Sequence, residues 1–417
     1  MRKTRSFFRI TVWALALGCT ASLSLAQGPA SRPKRHPLPA PPELLNNLRG
    51  NVTFMHPTNR ASVAIGQMNA TTSVPGLGFV NSVPLFNGSF NFRGTTFPFT
   101  MVGDAPVSGE TAHVETLIIP IVLVFPDFVD QNGNPFVLDA TQDVPATTNS
   151  PIWEAAAFPN GTTQYGDAIM RAEFPRAASR LNWHDKLQQP TIFKPLVIEV
   201  PGDDANLFFI PPNGSVFAVL DDEFWVSQLN TILELENIQV DDFVILETAD
   251  MFLAPNADPS HGIVLGFHEA FVSGQTPKSL DIQTFAWASF VSPTALGGLF
   301  SDILPLSHEV AEWFNDPFGI NPVPPFNPNP PFQSPPPKGG FCQGNLEVGD
   351  PLGGVPFPIM TDGTTYNPQV VALLPWFARQ VPSLAFDGDY SFPDPTQLTS
   401  PPPVCVEPPA TSASGSK

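Results

Sequence analysis

The amino-acid sequence predicts an α+β fold with a mixed, largely antiparallel sheet and long proline-rich loops. From residue 113 onward, apolar runs of strand length alternate with stretches of helical periodicity. Between residues 242 and 290 three strand-like runs follow one another directly, which favours hairpin links between neighbours. The 417 residues include 35 Phe and 51 Pro, so the chain has the aromatic mass for a substantial core and the prolines for many turns.

Residues 1–26 have the composition of a secretory signal peptide. A basic start precedes the apolar stretch from Ile10 to Leu17, and Ala26 ends a small-residue cleavage site. The alternative is a lipoprotein cut before Cys19, which is disfavoured because Leu17 is one place from the usual position of that leucine. Residues 27–50 combine Pro, Arg and Lys, and we expect a flexible leader there or, alternatively, a short propeptide.

The charge balance bounds the partners of the mature chain. Cleavage after Ala26 removes four basic and no acidic residues, so the formal charge falls from −19 to −23. Such a chain repels nucleic acids and anionic membranes. No later stretch is apolar for the roughly 20 residues of a membrane span. We therefore expect no nucleic-acid partner, no membrane span and a secreted, extracellular protein, with the periplasm as the alternative location.

The chain divides into segments of different composition. Residues 51–112 are predicted to be a β-rich N-terminal segment, because Gly, Asn and Thr turns separate short Phe-bearing runs. An α+β core occupies 113–320. Within it we predict strands over 114–128, 191–200, 242–253, 262–272 and 281–290, and helices over 165–181 and 222–237.

One further helix is predicted immediately before Pro317. Ser301 or Asp302 can cap its start, and Pro305 is tolerated only in a first turn. Asn315 and Pro317 end the helix. Four turns result, which is enough to present a motif on one face.

This helix carries the sequence His-Glu-Val-Ala-Glu from His308 to Glu312. His308 and Glu312 are one turn apart on the same face, and Glu309 lies about 100° around the helix. The spacing is that of the zinc-peptidase motif H-E-x-x-H with Glu in place of the second His. The apolar stripe lies opposite, so the polar face either lines a cleft that holds a metal or simply meets water.

In the metal hypothesis His308 and Glu312 are ligands of Zn²⁺ or another divalent metal. Glu309 would be the catalytic general base that takes a proton from an attacking water. One imidazole and two carboxylates would carry a formal charge of about −2, which neutralises a dication and weakens the preference for zinc over harder metals. Metal binding is therefore better supported by the motif than peptidase activity.

A third ligand is needed, and Glu347 is our choice because it follows the motif helix in sequence. Asp350 would accept the other ring N–H of His308 and fix its tautomer. Gly349 and Pro351 argue against a regular helix there, so a loop would have to bring both carboxylates to the metal. The alternative is that both are ordinary loop acids of an acidic protein.

His268 and Glu269 look like the start of a second motif, but residue 272 is Val and the surroundings are strand-like. In a strand these two neighbours point to opposite faces. We interpret His268 as a strand histidine, with a substrate contact or an alternative third ligand as the other options.

The C-terminal region begins with a proline-rich loop over 321–340, where the proline density excludes a helix or a central strand. Residues 341–405 are predicted to be the C-terminal part of the same domain. Cys342 and Cys405 remain after signal cleavage and are expected to form a disulfide. Binding a metal as a pair is the alternative, although they lack C-x-x-C spacing. Residues 406–417 are predicted to be a disordered tail.

Several short runs carry a resemblance to known proteins: 308–312 with 315–317, then 347–350 near Cys342. They resemble the phosphate-induced, EXORDIUM-like family of secreted, zincin-like H-E-x-x-E proteins. The regions around 163–168 and 374–377 are similar to uncharacterised secreted bacterial proteins. The resemblance implies that the motif helix and the later Glu-x-x-Asp belong together, and it implies no particular reaction.

These observations give two hypotheses for function. The first is a secreted metal-dependent hydrolase, a zincin-like peptidase acting on a polypeptide or another extracellular substrate. The second is a non-catalytic extracellular or cell-surface binding protein that keeps the same scaffold. The chain has no G-x-S-x-G, no P-loop and no G-x-G-x-x-G, so serine-hydrolase and nucleotide-binding classes have no support.

Overall fold

A computed structural model describes residues 34–40, 44, 78–80, 83–212, 214–235, 242–276, 279–328 and 342–405. The predicted signal peptide and C-terminal tail lie outside these residues, as do most of the predicted leader and most of the proline-rich loop. Among the described residues, no helix has both the length and the apolar character needed to cross a bilayer.

The elements are numbered in chain order. The helices are α1 (Val144–Thr148), α2 (Tyr165–Glu173), α3 (Pro175–Leu181), α4 (Asp222–Leu235), α5 (Leu304–Asn315) and α6 (Leu374–Phe377). The strands are β1 (Leu38–Pro39), β2 (Gly78–Val80), β3 (Leu85–Phe92), β4 (Thr95–Val102), β5 (Thr111–Val129), β6 (Pro135–Asp139), β7 (Ala156–Phe158), β8 (Gly161–Thr163), β9 (His184–Leu187), β10 (Thr191–Ile192), β11 (Leu196–Glu199), β12 (Ala205–Phe209), β13 (Val216–Asp221), β14 (Asp242–Ala249), β15 (Met251–Ala254), β16 (Gly266–Thr276), β17 (Ser279–Phe290), β18 (Pro322–Phe326), β19 (Gln343–Asn345), β20 (Ile359–Thr361), β21 (Thr364–Tyr366), β22 (Val371–Ala372) and β23 (Ser391–Phe392).

The largest sheet has nine strands, with the central order β10-β5-β14-β17-β16. Six of its pairings are parallel and two are antiparallel. The α+β class and the mixed sheet are confirmed, but the prediction of largely antiparallel pairing is wrong for this sheet. Hairpins join β5 to β6 and β16 to β17, whereas β14 reaches both its neighbours through long crossovers, which parallel pairing requires.

The central strands of this sheet are buried on both faces, and consecutive side chains alternate between two cores. Ile118 of β5 and Ile245 of β14 face a core that also contains helices α2 and α5. Their neighbours Ile119 and Leu246 face a second core, which includes α4 and the four-stranded sheet β1-β12-β13-β15. This double burial explains why these strands are almost continuously apolar in sequence.

Helix α5 is buried along its whole length. All twelve residues from Leu304 to Asn315 are buried, and Pro305 lies in the first turn as predicted. Trp313 stacks on Phe243 of β14, with ring centroids 3.8 Å apart, which holds the helix against the sheet. The alternative of a surface helix whose polar face meets water is therefore excluded.

Other predicted elements differ in their boundaries. The helix predicted over 165–181 breaks at Phe174, because the residue before Pro175 is disfavoured in helical conformation. The strand predicted over 191–200 is divided into β10 and β11. The predicted hairpin in 51–112 is present as β3 and β4, whose two-residue turn has positive φ at both Arg93 and Gly94.

Two segments predicted to lack regular structure contain short strands. Leu38–Pro39 of the predicted leader pairs with β12. Pro322–Phe326 of the predicted proline-rich loop pairs with β19. That pairing engages only the end residues Pro322 and Phe326. The prolines between them have no backbone N–H, and the pairing does not require one from them. The predicted disulfide between Cys342 and Cys405 is present.

Candidate metal centre

Helix α5 presents His308 and Glu312 on one side, as their spacing predicts. Nε2 of His308 lies 3.1 Å from Oε2 of Glu312. Both side chains are buried, with exposures of 0% and 1%. The pair faces strand β16 and the loop that follows β19, and these two segments supply the other polar groups of the site.

Gln369 fixes the tautomer of the His308 ring. Its Nε2 donates to the carbonyl oxygen of Gly349 at 2.7 Å, so its Oε1 is the atom that lies 3.1 Å from His308 Nδ1. An amide oxygen accepts hydrogen bonds and donates none, so Nδ1 carries the ring proton. The lone pair of Nε2 then points towards Glu312, as expected for a metal-binding histidine.

Gln369 is itself held from several sides. Its backbone N–H donates to Ser307 Oγ at 2.9 Å, and its Oε1 also accepts from the backbone N–H of Gly354 at 3.1 Å. The hydroxyl of Tyr165, on α2, donates to its carbonyl oxygen at 2.5 Å. The residue that orients the imidazole is therefore rigidly placed.

Glu312 lies among other carboxyl groups. Its Oε1 accepts from the backbone N–H of Gly349 at 3.1 Å, and it shares a side-chain hydrogen bond with Glu347. Burial raises the pKa of Glu312 well above its ordinary value, and the nearby charges of Glu347, Asp350 and Glu309 raise it further. A carboxyl group in this position must be protonated or paired with a cation.

Asp350 lies on the Nε2 side of the His308 ring, which is also the side of Glu312. Its Oδ1 is 3.7 Å from His308 Nε2, and its Oδ2 accepts from Gln343 Nε2 at 2.5 Å. The contact to Nδ1 that we predicted for Asp350 is made by Gln369. Glu347, predicted as the third ligand, hydrogen-bonds Asn345, and its Oε2 lies 4.0 Å from His268 Nε2. The role of Glu347 as a metal ligand stays a prediction.

His268, on strand β16, also reaches this cluster. Its Nε2 lies 3.0 Å from the carbonyl oxygen of Asp316, so Nε2 carries the proton and the Nδ1 lone pair points elsewhere. Nδ1 is 3.3 Å from Glu309 Oε2 and 3.6 Å from Glu312 Oε2. His268 pairs with Ala286, which belongs to the core with α5, whereas Glu269 pairs with Phe285 of the other core. The predicted opposite orientation of these neighbours is confirmed.

Asp316 closes the cluster at the end of α5. Both its carboxyl oxygens accept from the loop that follows, from the backbone N–H groups of Ile320 and Asn321 at 2.9 Å. Burial raises the pKa of Asp316 to about 7, and the charge of Glu347 adds to the shift. With Asp316 the cluster contains five buried carboxyl groups and two imidazoles.

Among the residues that the structure describes, two groups of three have donor atoms close enough to share one ion. They are His308, Glu312 and Asp350, and His268, Glu309 and Glu312, with all ligand atoms within 4.8 Å of one another. Bonds of about 2.1 Å in a tetrahedral site place two donors about 3.4 Å apart. The separations from His308 Nε2, 3.1 and 3.7 Å, lie on either side of that value. Buried His, Glu and Asp groups could therefore hold a metal ion.

The helix pair and the later acids could be predicted from the sequence, but two other residues of the site could not. Gln369 belongs to no motif, and only the folded loop brings its amide to His308. Asp316 lies between Asn315 and Pro317, the two residues predicted to end the helix, and its place in the sequence gives no sign of a buried role. For His268 the sequence offers strand periodicity as its signal, and the role of an alternative third ligand is one of the options that it leaves open.

Comparison of the chain with protein-family models, with curated proteins and with solved structures finds no match. The resemblance to secreted H-E-x-x-E proteins therefore stays a prediction, and the function must be argued from the site.

Proposed function

We propose that the chain is a secreted metal-dependent hydrolase of the zincin-like type. His308, Glu312 and Asp350 would hold the metal, and Glu347 would support Glu312 through their shared hydrogen bond. One observation carries the proposal. The lone pair of His308 Nε2 faces a carboxylate oxygen of Glu312 across 3.1 Å, and two such electron-rich atoms repel unless a cation or a proton lies between them.

The composition of the ligand set bears on the metal. One imidazole with two carboxylates fits Zn²⁺ and also accommodates harder dications such as Mn²⁺. When bound, the metal would polarise a substrate carbonyl and increase the acidity of a water. Gly349 and Gln369 would keep the ligands in place, because one donates to Glu312 and the other fixes the ring of His308.

Glu309 would act as the general base. It follows His308 on α5, and its Oε2 lies 3.3 Å from His268 Nδ1. A proton taken from an attacking water by Glu309 could be shared with His268, whose ring is held by the carbonyl oxygen of Asp316. A polypeptide is the proposed substrate, because the helix spacing is that of zinc peptidases.

The burial of the cluster supports a second candidate. Glu309 and His308 have no solvent exposure, and Asp350, at 9%, is the most exposed of the proposed ligands. A metal enclosed in this way could be structural, as expected for a non-catalytic extracellular or cell-surface binding protein. Both candidates require the metal, and they differ in what Glu309 does.

The test is hydrolysis of fluorescently labelled, denatured casein by the mature chain loaded with Zn²⁺ or Mn²⁺. We expect Glu309→Gln to bind metal normally and to lose about 10²- to 10⁴-fold in rate, the usual contribution of a general base. Glu115→Gln, which changes an exposed glutamate on β5, is the matched control and should retain full rate.

Two outcomes would contradict the hydrolase proposal. Cleavage that survives in Glu309→Gln would remove that residue from the chemistry. A metal-loaded chain that cleaves no peptide bond in casein would leave the non-catalytic binding protein as the function of the same site.

A further inference from the structure

A cavity whose lining includes none of the metal-cluster residues lies between the β3–β4 hairpin, helices α2 and α3 and the segment from Leu374 to Leu384. Its volume is about 330 Å³, which falls in the range of small-molecule sites. Phe90, Phe99 and Phe174 give it an aromatic lining. The walls therefore suit an apolar ligand.

The cavity also contains a buried carboxyl group that is only half satisfied. Glu173, at the end of α2, is 5% exposed, and its Oε1 accepts from the backbone N–H of Leu374 at 2.7 Å. Its Oε2 has no hydrogen-bond partner among the residues that the structure describes. Buried carboxyl oxygens are rarely left in this state, so the free oxygen marks a position for a donor that comes from outside the chain.

A second acceptor lines the same cavity. The side-chain oxygen of Gln380 is buried and likewise lacks a partner within the described part of the chain. The backbone of Gln380 is fixed, since its N–H donates to the carbonyl oxygen of Pro375 and its own carbonyl accepts from Tyr390. Both side-chain oxygens thus belong to residues that line one aromatic cavity, and each can accept a hydrogen bond from an N–H group once Glu173 is ionised.

Within the described part of the chain, no basic side chain is paired with Glu173. Arg176 is among the lining residues, but it is exposed and forms no ion pair with Glu173 in the described ranges. Burial raises the pKa of Glu173 to about 8, and the only opposing influence is the hydrogen bond from Leu374. The ionised form lacks a compensating positive charge, which a ligand could supply.

The entrance of the cavity is apolar and open to solvent. Val107 is 86% exposed and Leu384 is 57% exposed, and both line the cavity. Val381, next to Gln380, is 79% exposed. Large aliphatic side chains grouped around a cavity mark a surface that a ligand can cover.

We propose that this cavity binds a small apolar amine, with its nitrogen against Glu173 Oε2 and Gln380 Oε1 and its hydrocarbon part against the three phenylalanines. An amine that enters as the free base takes the proton of the Glu173 carboxyl group, and the resulting ammonium and carboxylate remain paired. The proposal does not depend on the metal site, which shares none of these residues.

The test is calorimetric titration of the mature chain at neutral pH with benzylamine, benzyl alcohol and benzoate, which differ in the polar group. We expect benzylamine to bind at least about tenfold more tightly than benzyl alcohol, and benzoate not to bind. Glu173→Gln should weaken benzylamine binding by about tenfold or more, because it removes the carboxyl group while keeping the acceptor for Leu374. Glu199→Gln, an exposed glutamate on β11, is the matched control and should bind as the wild type does.

A second variant keeps the test decisive if Glu173→Gln does not fold. Leu384→Lys places a positive charge at the exposed entrance and should weaken benzylamine binding without loss of the fold. The proposal is overturned if the wild type binds no benzylamine at millimolar concentration, or if it binds benzyl alcohol as tightly as benzylamine. It is also overturned if a folded Glu173→Gln or Leu384→Lys variant binds benzylamine as tightly as the wild type does.

Discussion

At the scale of single residues, the site depends on where two ring protons lie. His308 donates its Nδ1–H to the side-chain oxygen of Gln369, and His268 donates its Nε2–H to the backbone carbonyl oxygen of Asp316. The other ring nitrogen of each histidine faces carboxyl groups. The sequence could predict that His308 and Glu312 share a helix face, because that follows from the helical period. It could not predict Gln369, since its contact joins residues 61 positions apart through a loop.

Gln369→Leu tests the role of this amide. The variant keeps a similar volume and removes the acceptor for His308 Nδ1, so the ring loses its fixed orientation. We expect zinc affinity to fall by about 10- to 100-fold, measured by competition with a chelating dye. Gln142→Leu, at an exposed position, is the control. Unchanged affinity in Gln369→Leu would show that the tautomer of His308 does not matter for metal binding.

Gly349→Ala tests how closely the loop approaches the ring. Gly349 has helical backbone angles, φ −77° and ψ −36°, that alanine adopts easily, so any effect is steric. An added Cβ would overlap the imidazole of His308. We expect a loss of about 1–3 kcal/mol in the free energy of unfolding, together with weaker metal binding. Gly344→Ala, where an added Cβ meets only one atom at 3.9 Å, should be neutral, and equal effects of the two variants in urea unfolding would contradict this account.

At the scale of elements, local periodicity predicted the helices and strands better than their pairing. The strand predicted over 114–128 is present within β5, and the motif helix ends at Asn315 as predicted. Both predictions used apolar spacing and proline positions, which are local properties of the sequence. The direction of pairing depends on the long connections that place β14 between β5 and β17, and spacing alone carries no such information. The burial of α5 on every side likewise depends on strands and loops that are distant in sequence.

The disulfide joins two irregular segments of the C-terminal region and closes a loop that contains Glu347, Asp350 and Gln369. Its cysteines are 63 residues apart, for which the loop-entropy relation gives about 4 kcal/mol of stabilisation. We expect the double variant Cys342→Ser with Cys405→Ser to lose stability of that order in chemical denaturation and to bind metal more weakly. The control is dithiothreitol, which should destabilise the wild type and leave the variant unchanged. If the variant and the wild type unfold at the same denaturant concentration, the disulfide has no such role.

At the scale of the whole molecule, buried acids outside the metal cluster contribute to the expected response of stability to pH. Burial raises the pKa of Glu173 and of Glu247 to about 8 and that of Asp185 to about 9. For Asp185 the charge of Asp167 adds to the effect. Between the unfolded and folded pKa values the folded chain binds more protons than the unfolded chain. The free energy of unfolding should therefore fall as pH rises from about 5 to about 9.

The slope from each such group is at most about 1.4 kcal/mol per pH unit. The check is urea denaturation at pH 5, 7 and 9 with the metal removed by chelator. Glu247→Gln keeps an acceptor for Thr147 and removes one titrating group, so its stability should depend less on pH. Glu223→Gln, which is exposed, should behave as the wild type does. Stability that rises over this pH range would contradict the assignment of these acids as protonated at neutral pH.

The central claim is that the buried cluster around α5 holds a divalent metal ion. Elemental analysis of the purified chain, expressed from residue 27 onward, tests it most directly after equilibration with zinc, manganese or calcium and removal of unbound ions. The account predicts about one tightly bound dication per chain in the wild type and in Glu309→Gln, and loss of that ion in His308→Ala. A wild-type chain that retains none of the three metals, or a His308→Ala variant that retains the ion fully, would contradict it.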